Sequence, residues 1–185
     1  EVHSSIRAAA RVLDCDVIEV PVGDKGQMTG QALAGALEQS DFDGLFGVVA
    51  SAGTTNAGVI DDLAGIAEIC QEHGLWMHVD GAYGAAALVA PSVANRFAGI
   101  EHADSFVVDP HKWLFAPFDC CALVYREPKN GAFAHSQFAE YLEFVDRSEW
   151  NPADYAVHLS RRARGLPFWF SLATYGTDRY REAVE

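Results

Sequence analysis

The fold is decided by two stretches: Leu75-Trp76-Met77-His78-Val79-Asp80-Gly81-Ala82-Tyr83, and the later segment Ala103-Asp104-Ser105-Phe106-Val107-Val108, which leads into His111-Lys112-Trp113-Leu114. Each begins as a largely apolar run, typical of a strand with both faces covered. Ligands of open α/β sheets bind at the carboxyl ends of such strands. We therefore expect Asp80 and Lys112 to lie at the same edge of one sheet.

An amine and a carboxylate at one sheet edge are the two groups that a pyridoxal phosphate (PLP) enzyme requires. The lysine forms a Schiff base, and the acid keeps the pyridine nitrogen protonated, so that the ring can accept electrons. Most lysines are solvated surface charges. Lys112, however, has apolar neighbours at positions 110 and 113–115, which favour an uncharged, nucleophilic amine. Asp80 taken alone would be interpreted as a cap or turn residue before Gly81.

The bulk composition limits the class of protein. The chain has 185 residues, enough for one ordinary domain or a piece of a larger one, and half of them are hydrophobic, which argues against disorder. Its 13 basic and 26 acidic residues give a net charge of −13. The only dense basic cluster is Arg161-Arg162-Ala163-Arg164. This pattern argues against a nucleic-acid or anionic-membrane partner.

The cysteines indicate a reducing compartment. Cys15, Cys70, Cys120 and Cys121 have no Cys-x-x-Cys spacing, and we interpret them as reduced, mostly buried thiols of a cytoplasmic protein. No stretch approaches the ~18 consecutive apolar residues of a membrane span. The first residues resemble neither a signal peptide nor a transit peptide and include no initiator methionine, so we expect the chain to begin in mid-domain.

Helix and strand signals alternate along the chain, which indicates a largely parallel α/β sheet. The predicted strands are 17–21, 44–50, 75–79, 103–108 and 121–125. The predicted helices are 4–13 with Ser4 or Ser5 as cap, Thr29 to about Glu38, Asp61 or Asp62 to about His73 with Gly74 as stop, 91–98, and 160–175. Residues 128–157 are expected to form a long loop or lid.

Other chemistries have weaker signals. His73, His78 and Asp80 suggest a metal-dependent hydrolase, but a third ligand at a convincing spacing is missing, and we predict no metal. His78 is expected to be a hydrogen-bonded core histidine. The chain contains no Gly-x-Gly-x-x-Gly, Gly-Lys-Ser/Thr or Gly-x-Ser-x-Gly motif, which argues against nucleotide binding and serine hydrolysis.

Five segments together resemble the group II PLP-dependent amino-acid decarboxylases, which include aromatic-L-amino-acid, glutamate and diaminobutyrate decarboxylases. In order they are His3-Ser4-Ser5, Gly53-Thr54-Thr55, residues 78–83, residues 103–105 with Asp109-Pro110-His111-Lys112-Trp113, and Ser160-Arg161-Arg162. They span essentially the whole chain. The resemblance implies the α/β large domain of fold type I PLP-dependent transferases, with a mostly parallel sheet flanked by helices. It also implies a homodimer with active sites at the subunit interface.

The resemblance also implies roles for single residues. Lys112 becomes the Schiff-base lysine and Asp80 the partner of the pyridinium nitrogen. His3 would stack on one face of the cofactor ring, and Ala82 would pack on the other. Thr55 would lie beside the cofactor and the substrate.

Three further positions follow from the same resemblance. His111 would assist near the phosphate or in proton transfer. The family commonly has an asparagine that helps to hold the phosphate where Asp109 stands, whereas an ionised Asp109 would repel it. Tyr155 lies near the place of the family's mobile-loop tyrosine, although an ungapped match puts Pro152 there.

By the same comparison, residues 1–173 are the C-terminal part of the PLP-binding large domain, and 174–185 begin the connection to a small C-terminal domain. The family's main phosphate-binding groups lie upstream of the segment that matches residue 1. An anion without a helix terminus or a cationic cradle binds weakly. We therefore expect residues 1–185 alone to bind PLP poorly and to be inactive.

The predicted function is PLP-dependent decarboxylation of an L-amino acid to the corresponding amine and CO2. Two alternatives stay open: another fold type I PLP activity (aldehyde synthesis, a lyase or an aminotransferase), and a non-catalytic fragment that only dimerises. The predicted ligand is a small-molecule amino acid whose identity the sequence does not specify.

Overall fold

The computed structural model describes residues 2–39, 43–137 and 150–185, and a four-stranded sheet lies at its centre. The strands, in spatial order, are β1 (Gly47–Ser51), β2 (Trp76–Asp80), β3 (Ser105–Val108) and β4 (Ala122–Tyr125). The pairs β1–β2 and β2–β3 are parallel, and β4 runs antiparallel to β3. The prediction of a mostly parallel sheet is confirmed, with the antiparallel edge strand that many such sheets carry.

Five α-helices accompany the sheet in the described ranges. They are α1 (Ser4–Leu13), α2 (Gly30–Glu38), α3 (Leu63–His73), α4 (Pro128–His135) and α5 (Gly165–Val184). Shorter 3₁₀ turns occupy Gly84–Val89, Ala94–Phe97, Ile100–His102 and Pro152–Tyr155. Helix α5 is interrupted at Gly176, whose φ of 78° and ψ of 161° are not helical.

The ends of α2 and α3 follow from local hydrogen bonds, as predicted. The Thr29 hydroxyl accepts from the Ala32 N–H at 3.1 Å, and the Asp62 carboxylate accepts from the Gly65 N–H at 3.1 Å. Gly74 ends α3 in the left-handed conformation, with φ of 64°. Of the two aspartates proposed as caps, Asp62 takes the role.

The hydrophobic core lies between one face of the sheet and α3. Val48, Ala50, Met77 and Val79 point to this face and are buried, together with the apolar side of α3. The residues between them on β2 are only half-buried. The prediction of strands covered on both faces was therefore wrong for β2 in the described part of the chain, where burial alternates along the strand.

Several predicted elements were wrong in position or kind. Residues 17–21, all within the described ranges, form no strand, and Val17 and Ile18 are exposed. Strand β1 begins at Gly47 rather than residue 44, and 3₁₀ turns replace the helix expected at 91–98. The last helix runs over Gly165–Val184 instead of 160–175.

The segment 128–157, predicted as a loop or lid, contains α4 and the 3₁₀ turn Pro152–Tyr155. Residues 138–149 of that prediction lie outside the described residues. Helix α1 is capped not by Ser4 or Ser5 but by His3, whose Nδ1 accepts from the Ser5 N–H at 3.3 Å.

The loops that follow β1 and β2 approach each other too closely for a side chain. A Cβ at Gly84 would overlap the carbonyl oxygen of Ala52 and the Cα of Gly53, both of them backbone atoms. A Cβ at Gly53 would in turn overlap the Cα of Gly84. Glycine at both positions therefore allows the two loops to pack together at the carboxyl edge of the sheet.

We predict that Gly84→Ala lowers the free energy of unfolding by about 1–3 kcal/mol, because the added methyl meets backbone that cannot move aside. Gly35→Ala is the matched control. Gly35 lies inside α2 with open space around its Cα, so alanine there should be neutral or stabilise by up to ~1 kcal/mol. Urea denaturation of the two variants measures both effects, and parent-like stability of Gly84→Ala would contradict the close approach.

Candidate active site

Asp80 is the last residue of β2, and its main chain is fixed from both sides. The Ala52 N–H, just after β1, donates to the Asp80 carbonyl oxygen at 2.8 Å. The next residue, Gly81, donates its N–H to the carbonyl of Val107 in β3 at 3.1 Å. The carboxyl ends of three neighbouring strands therefore meet around Asp80.

The peptide units of Ala82 connect Asp80 to the segment that carries Lys112. The Ala82 N–H donates to Asp80 Oδ1 at 3.1 Å, which orients the carboxylate. The Ala82 carbonyl accepts the N–H of Asp109 at 2.9 Å. The structure thus brings the loop after β2 and the turn 109–112 to one edge of the sheet.

Packing holds the same two segments together. The rings of Tyr83 and Trp113 are stacked, with centroids 5.5 Å apart and an interplanar angle of 17°. Pro110 is fully buried and Leu114 is buried, so the turn that carries Lys112 is anchored on both sides of the lysine. Stacked aromatic pairs of this kind add about 0.5–1.5 kcal/mol beyond the area that they bury.

Lys112 itself is not in the apolar setting that its neighbours suggested. Its Nζ lies 2.9 Å from Asp109 Oδ2, and 37% of its side chain is exposed, against 13% for Asp109. Pro110 and Leu114 turn into the core, while the amine faces a carboxylate three residues earlier. The expectation of an apolar environment was therefore wrong for the amine group.

His111 is held by the start of β4. Its Nδ1 lies 3.0 Å from the Cys120 amide nitrogen and 2.6 Å from the Cys120 carbonyl oxygen, so it accepts from the first or donates to the second according to its tautomer. The ring meets Phe118 edge to face at 5.0 Å. Its other nitrogen, Nε2, lies 3.9 Å from Asp109 Oδ2.

Cys121 is a member of the site that the sequence did not indicate. Desolvation, followed by a hydrogen bond with Asp109 and its negative charge, raises the pKa of the Cys121 thiol to about 12. The thiol is therefore neutral at physiological pH, and the residue itself is exposed. Its position in the sequence, next to Cys120 at the start of a strand, carries no signal for this role.

Asp61 is a second residue whose role the sequence did not specify. Its carboxylate is buried and accepts from the N–H of Ser51 at 2.7 Å and of Met28 at 2.8 Å. Burial raises the pKa of Asp61, although the two backbone hydrogen bonds oppose the shift. Asp61 therefore fixes the end of β1 rather than capping α3.

His78 is hydrogen-bonded, as predicted, but it is half-buried and lies outside the core. Its Nδ1 lies 2.8 Å from Ser105 Oγ, which also accepts from the indole N–H of Trp76 at 3.0 Å. Burial lowers the pKa of His78, and the charge of Asp80 opposes this shift only in part. The imidazole is therefore neutral in the folded chain at physiological pH.

Three predicted site residues lie apart from this cluster in their described contacts. His3 is exposed and bonds only within the start of α1, to Ser5. Thr55 is exposed, whereas its neighbour Thr54 is buried and its hydroxyl accepts from the Val59 N–H at 3.1 Å. Tyr155 stacks on Trp150 at 6.1 Å. Their placement against a cofactor stays a prediction.

Metal-binding clusters and membrane-spanning helices are both absent from the described ranges, 2–39, 43–137 and 150–185. No group of three or more histidine, cysteine, aspartate or glutamate side chains there could hold a metal ion. None of the helices in those ranges has the length and apolar character needed to cross a membrane.

Comparison with known proteins identifies the family. Residues 1–185 match the family described as the pyridoxal-dependent decarboxylase conserved domain. The chain belongs to this family. An aromatic-L-amino-acid decarboxylase from Bacillus atrophaeus is 32% identical over 197 aligned residues, which cover 100% of this chain and 40% of the relative. The decarboxylase-family chain thus spans about two fifths of that protein's length.

Solved structures confirm the fold class. The crystal structure of Oryza sativa TDC with PLP and tryptamine superposes with a TM-score of 0.90 at 29% identity, covering 97% of this chain and 39% of that one. The 4-hydroxyphenylacetaldehyde synthase of Rhodiola rosea superposes with a TM-score of 0.80 at 28% identity, over 98% of this chain and 38% of the synthase. The predicted fold, the α/β large domain of fold type I PLP enzymes, is confirmed, and it is present here in part.

The lowered pKa of His78 predicts a pH effect on stability. The unfolded chain takes up a proton as pH falls through the ordinary histidine value of 6.5, whereas the lowered pKa of His78 makes the folded chain take it up only at lower pH. The stability contribution is thus present above that pH and is lost as the pH falls below it. His78→Asn, which can still bond to Ser105, should show a weaker loss of unfolding free energy than the parent between about pH 7.5 and pH 5.

The control for this measurement is His158→Asn. His158 is exposed, so its replacement should leave the pH dependence of the parent unchanged. Denaturation midpoints across the pH range provide the comparison. If the unfolding free energy of His78→Asn changed with pH as steeply as that of the parent, the His78 imidazole would not be the source of the pH dependence.

Proposed function

We propose that the full-length protein carrying this chain uses PLP, bound as a Schiff base on Lys112, to decarboxylate an L-amino acid to the amine and CO2. One observation supports this most strongly. In a member of the decarboxylase family, the Ala82 backbone links the Asp80 carboxylate and the Asp109–Lys112 turn at one sheet edge. The site thus combines an amine nucleophile with a carboxylate at the position where α/β sheets bind ligands.

The residues present fit the ring and the aldehyde of PLP. Asp80 offers a half-buried carboxylate, and an opposite charge favours the protonated form of a ring nitrogen. Ala82 is a small residue between Asp80 and the lysine turn, so a flat ring could pack on it. When bound, PLP supplies an electron sink for the carboxylate-bearing carbon of the substrate.

Asp109 does not fit the phosphate role that its position suggested. Its carboxylate lies 2.9 Å from Lys112 Nζ, and only 13% of the side chain is exposed. A phosphate dianion next to this group would be repelled. We assign phosphate binding to other parts of the full-length protein.

The remaining roles extend the proposal. His111, fixed by Cys120 and close to Asp109, holds or moves a proton beside Lys112. His3 covers one face of the ring and Thr55 lies next to the substrate, both from exposed positions that a bound ligand could reach. Tyr155 is proposed as a proton donor from a neighbouring loop.

The full-length protein is proposed to be a cytoplasmic homodimer with its sites at the subunit interface. Two aromatic residues just after Lys112, Phe115 and Phe118, are 60% and 85% exposed, and aromatic residues are enriched at protein interfaces. All four cysteines are free in the structure, which agrees with a reducing compartment.

An aldehyde synthase is the second candidate, because the Rhodiola rosea synthase shares the fold over nearly the whole chain. Product analysis separates the two functions. A decarboxylase yields CO2 and an amine, whereas an aldehyde synthase yields CO2 and an aldehyde. The substrates to compare are aromatic, acidic and basic L-amino acids carrying a labelled carboxylate.

Lys112→Ala should abolish both borohydride-trapped PLP and CO2 release in the full-length protein, because Lys112 is the lysine of the turn that the Ala82 backbone joins to Asp80. Lys129→Ala is the matched control: Lys129 is exposed on α4, and its loss should change neither measurement. Peptide mapping after reduction locates the label. PLP trapped on a lysine other than Lys112 in the parent would refute the assignment.

Asp80→Asn should separate binding of the cofactor from chemistry. The amide keeps the size of the side chain but not its charge, so Lys112 should still be trapped while CO2 release falls by at least ~10²-fold. Asp178→Asn, at an exposed ion pair on α5, serves as control and should keep parent activity. Full CO2 release by Asp80→Asn would exclude Asp80 as the partner of the ring nitrogen.

A further inference from the structure

Asp109 is the centre of the polar contacts around Lys112. Its Oδ2 lies 2.9 Å from Lys112 Nζ and 3.9 Å from His111 Nε2. Only 13% of the Asp109 side chain is exposed. A carboxylate with this set of partners has a fixed position rather than a choice of solvent-exposed rotamers.

The backbone fixes this geometry as well. The Lys112 N–H donates to the Asp109 carbonyl at 2.9 Å, which closes a tight turn, and the Ala116 N–H donates to the carbonyl of buried Pro110 at 2.9 Å. The Asp109 N–H is bound to Ala82. These bonds fix the main chains of Asp109 and Lys112 relative to each other, so that the two side chains leave the same turn.

We propose that Asp109 is a positioning residue that holds the Lys112 amine in an ion pair and thereby slows the addition of Lys112 to carbonyl compounds. The inference rests on the proposed function, in which Lys112 is the amine that forms the Schiff base. It assigns to Asp109 a role toward the lysine, in place of the phosphate contact expected from its position in the sequence.

The chemistry explains the direction of the effect. The ammonium group must give up one proton before its lone pair can form a bond to the carbonyl carbon. The carbonyl oxygen then leaves as water with two former amine protons, and the nitrogen keeps one proton and the positive charge. Asp109 stabilises the starting ammonium and also the final cation, so it affects the rate of addition more than the final extent.

The test compares two aldehydes that differ only in the phosphate: pyridoxal and PLP. Each is added to the full-length protein for short times and trapped with borohydride, and the label on Lys112 is quantified by mass spectrometry. Asp109→Asn should raise the initial rate of labelling by roughly two- to fivefold, the range expected for losing a partly exposed ion pair. The increase should be present with both aldehydes.

Asp119→Asn is the matched control. It removes a nearby carboxylate that is paired with Arg164 at 3.0 Å rather than with Lys112, so it should leave the rate of Lys112 labelling unchanged. Asp109→Ser, which also removes the charge, provides a second variant should the asparagine variant fold poorly. A structural defect alone would not raise the reactivity of one lysine.

The outcomes are distinct. An increase with PLP alone would show that Asp109 acts on the phosphate, and an unchanged or lower rate with both aldehydes would show that the ion pair does not limit the lysine. An equal increase in Asp119→Asn would indicate a general effect of charge. Each of these overturns the inference but leaves the proposed function intact when Lys112 is labelled in preference to Lys25 and Lys129. Absence of that preference in every variant overturns both.

Discussion

The whole site depends on one backbone hydrogen bond, between the Asp109 N–H and the Ala82 carbonyl at 2.9 Å. This bond joins the loop after β2 to the turn after β3. The N–H of the same residue, Ala82, donates to the Asp80 carboxylate. The Tyr83–Trp113 stack reinforces the same connection from the side chains. Without it, the two parallel strands would still pair, but the acid and the amine would have no fixed relation.

The strands that carry the site could be predicted because their apolar runs are long and end at chemically distinctive residues. The strand predicted at 17–21 had comparable β propensity yet does not form, since a strand needs a pairing partner and propensity does not supply one. Burial along β2 was hard to predict for a similar reason. Met77 and Val79 are buried whereas His78 between them is half-buried, and this difference depends on what covers the second face of the sheet. The apolar sequence of a strand does not specify which elements pack on the second face of its sheet.

The identity of the site residues was more accessible than their contacts. Asp80 ends β2 and Lys112 follows β3, so their placement at one sheet edge could be inferred from their order along the chain. The ion pair of Lys112 with Asp109 depends on side-chain direction within one turn, and the contact of His111 with Cys120 depends on the antiparallel return of the chain into β4. Neither has a signature in the spacing of residues. The cap of α1 by His3 was also not predictable, because it depends on the local rotamer of the His3 side chain.

The most direct test is an experimental structure of the full-length protein prepared with PLP. We expect continuous density from Lys112 Nζ to the cofactor, with the Asp80 carboxylate within hydrogen-bond distance of the ring nitrogen and Asp109 beside Lys112 rather than on the phosphate. Density joined to a different lysine, or an Asp80 side chain turned away from the ring nitrogen, would contradict it.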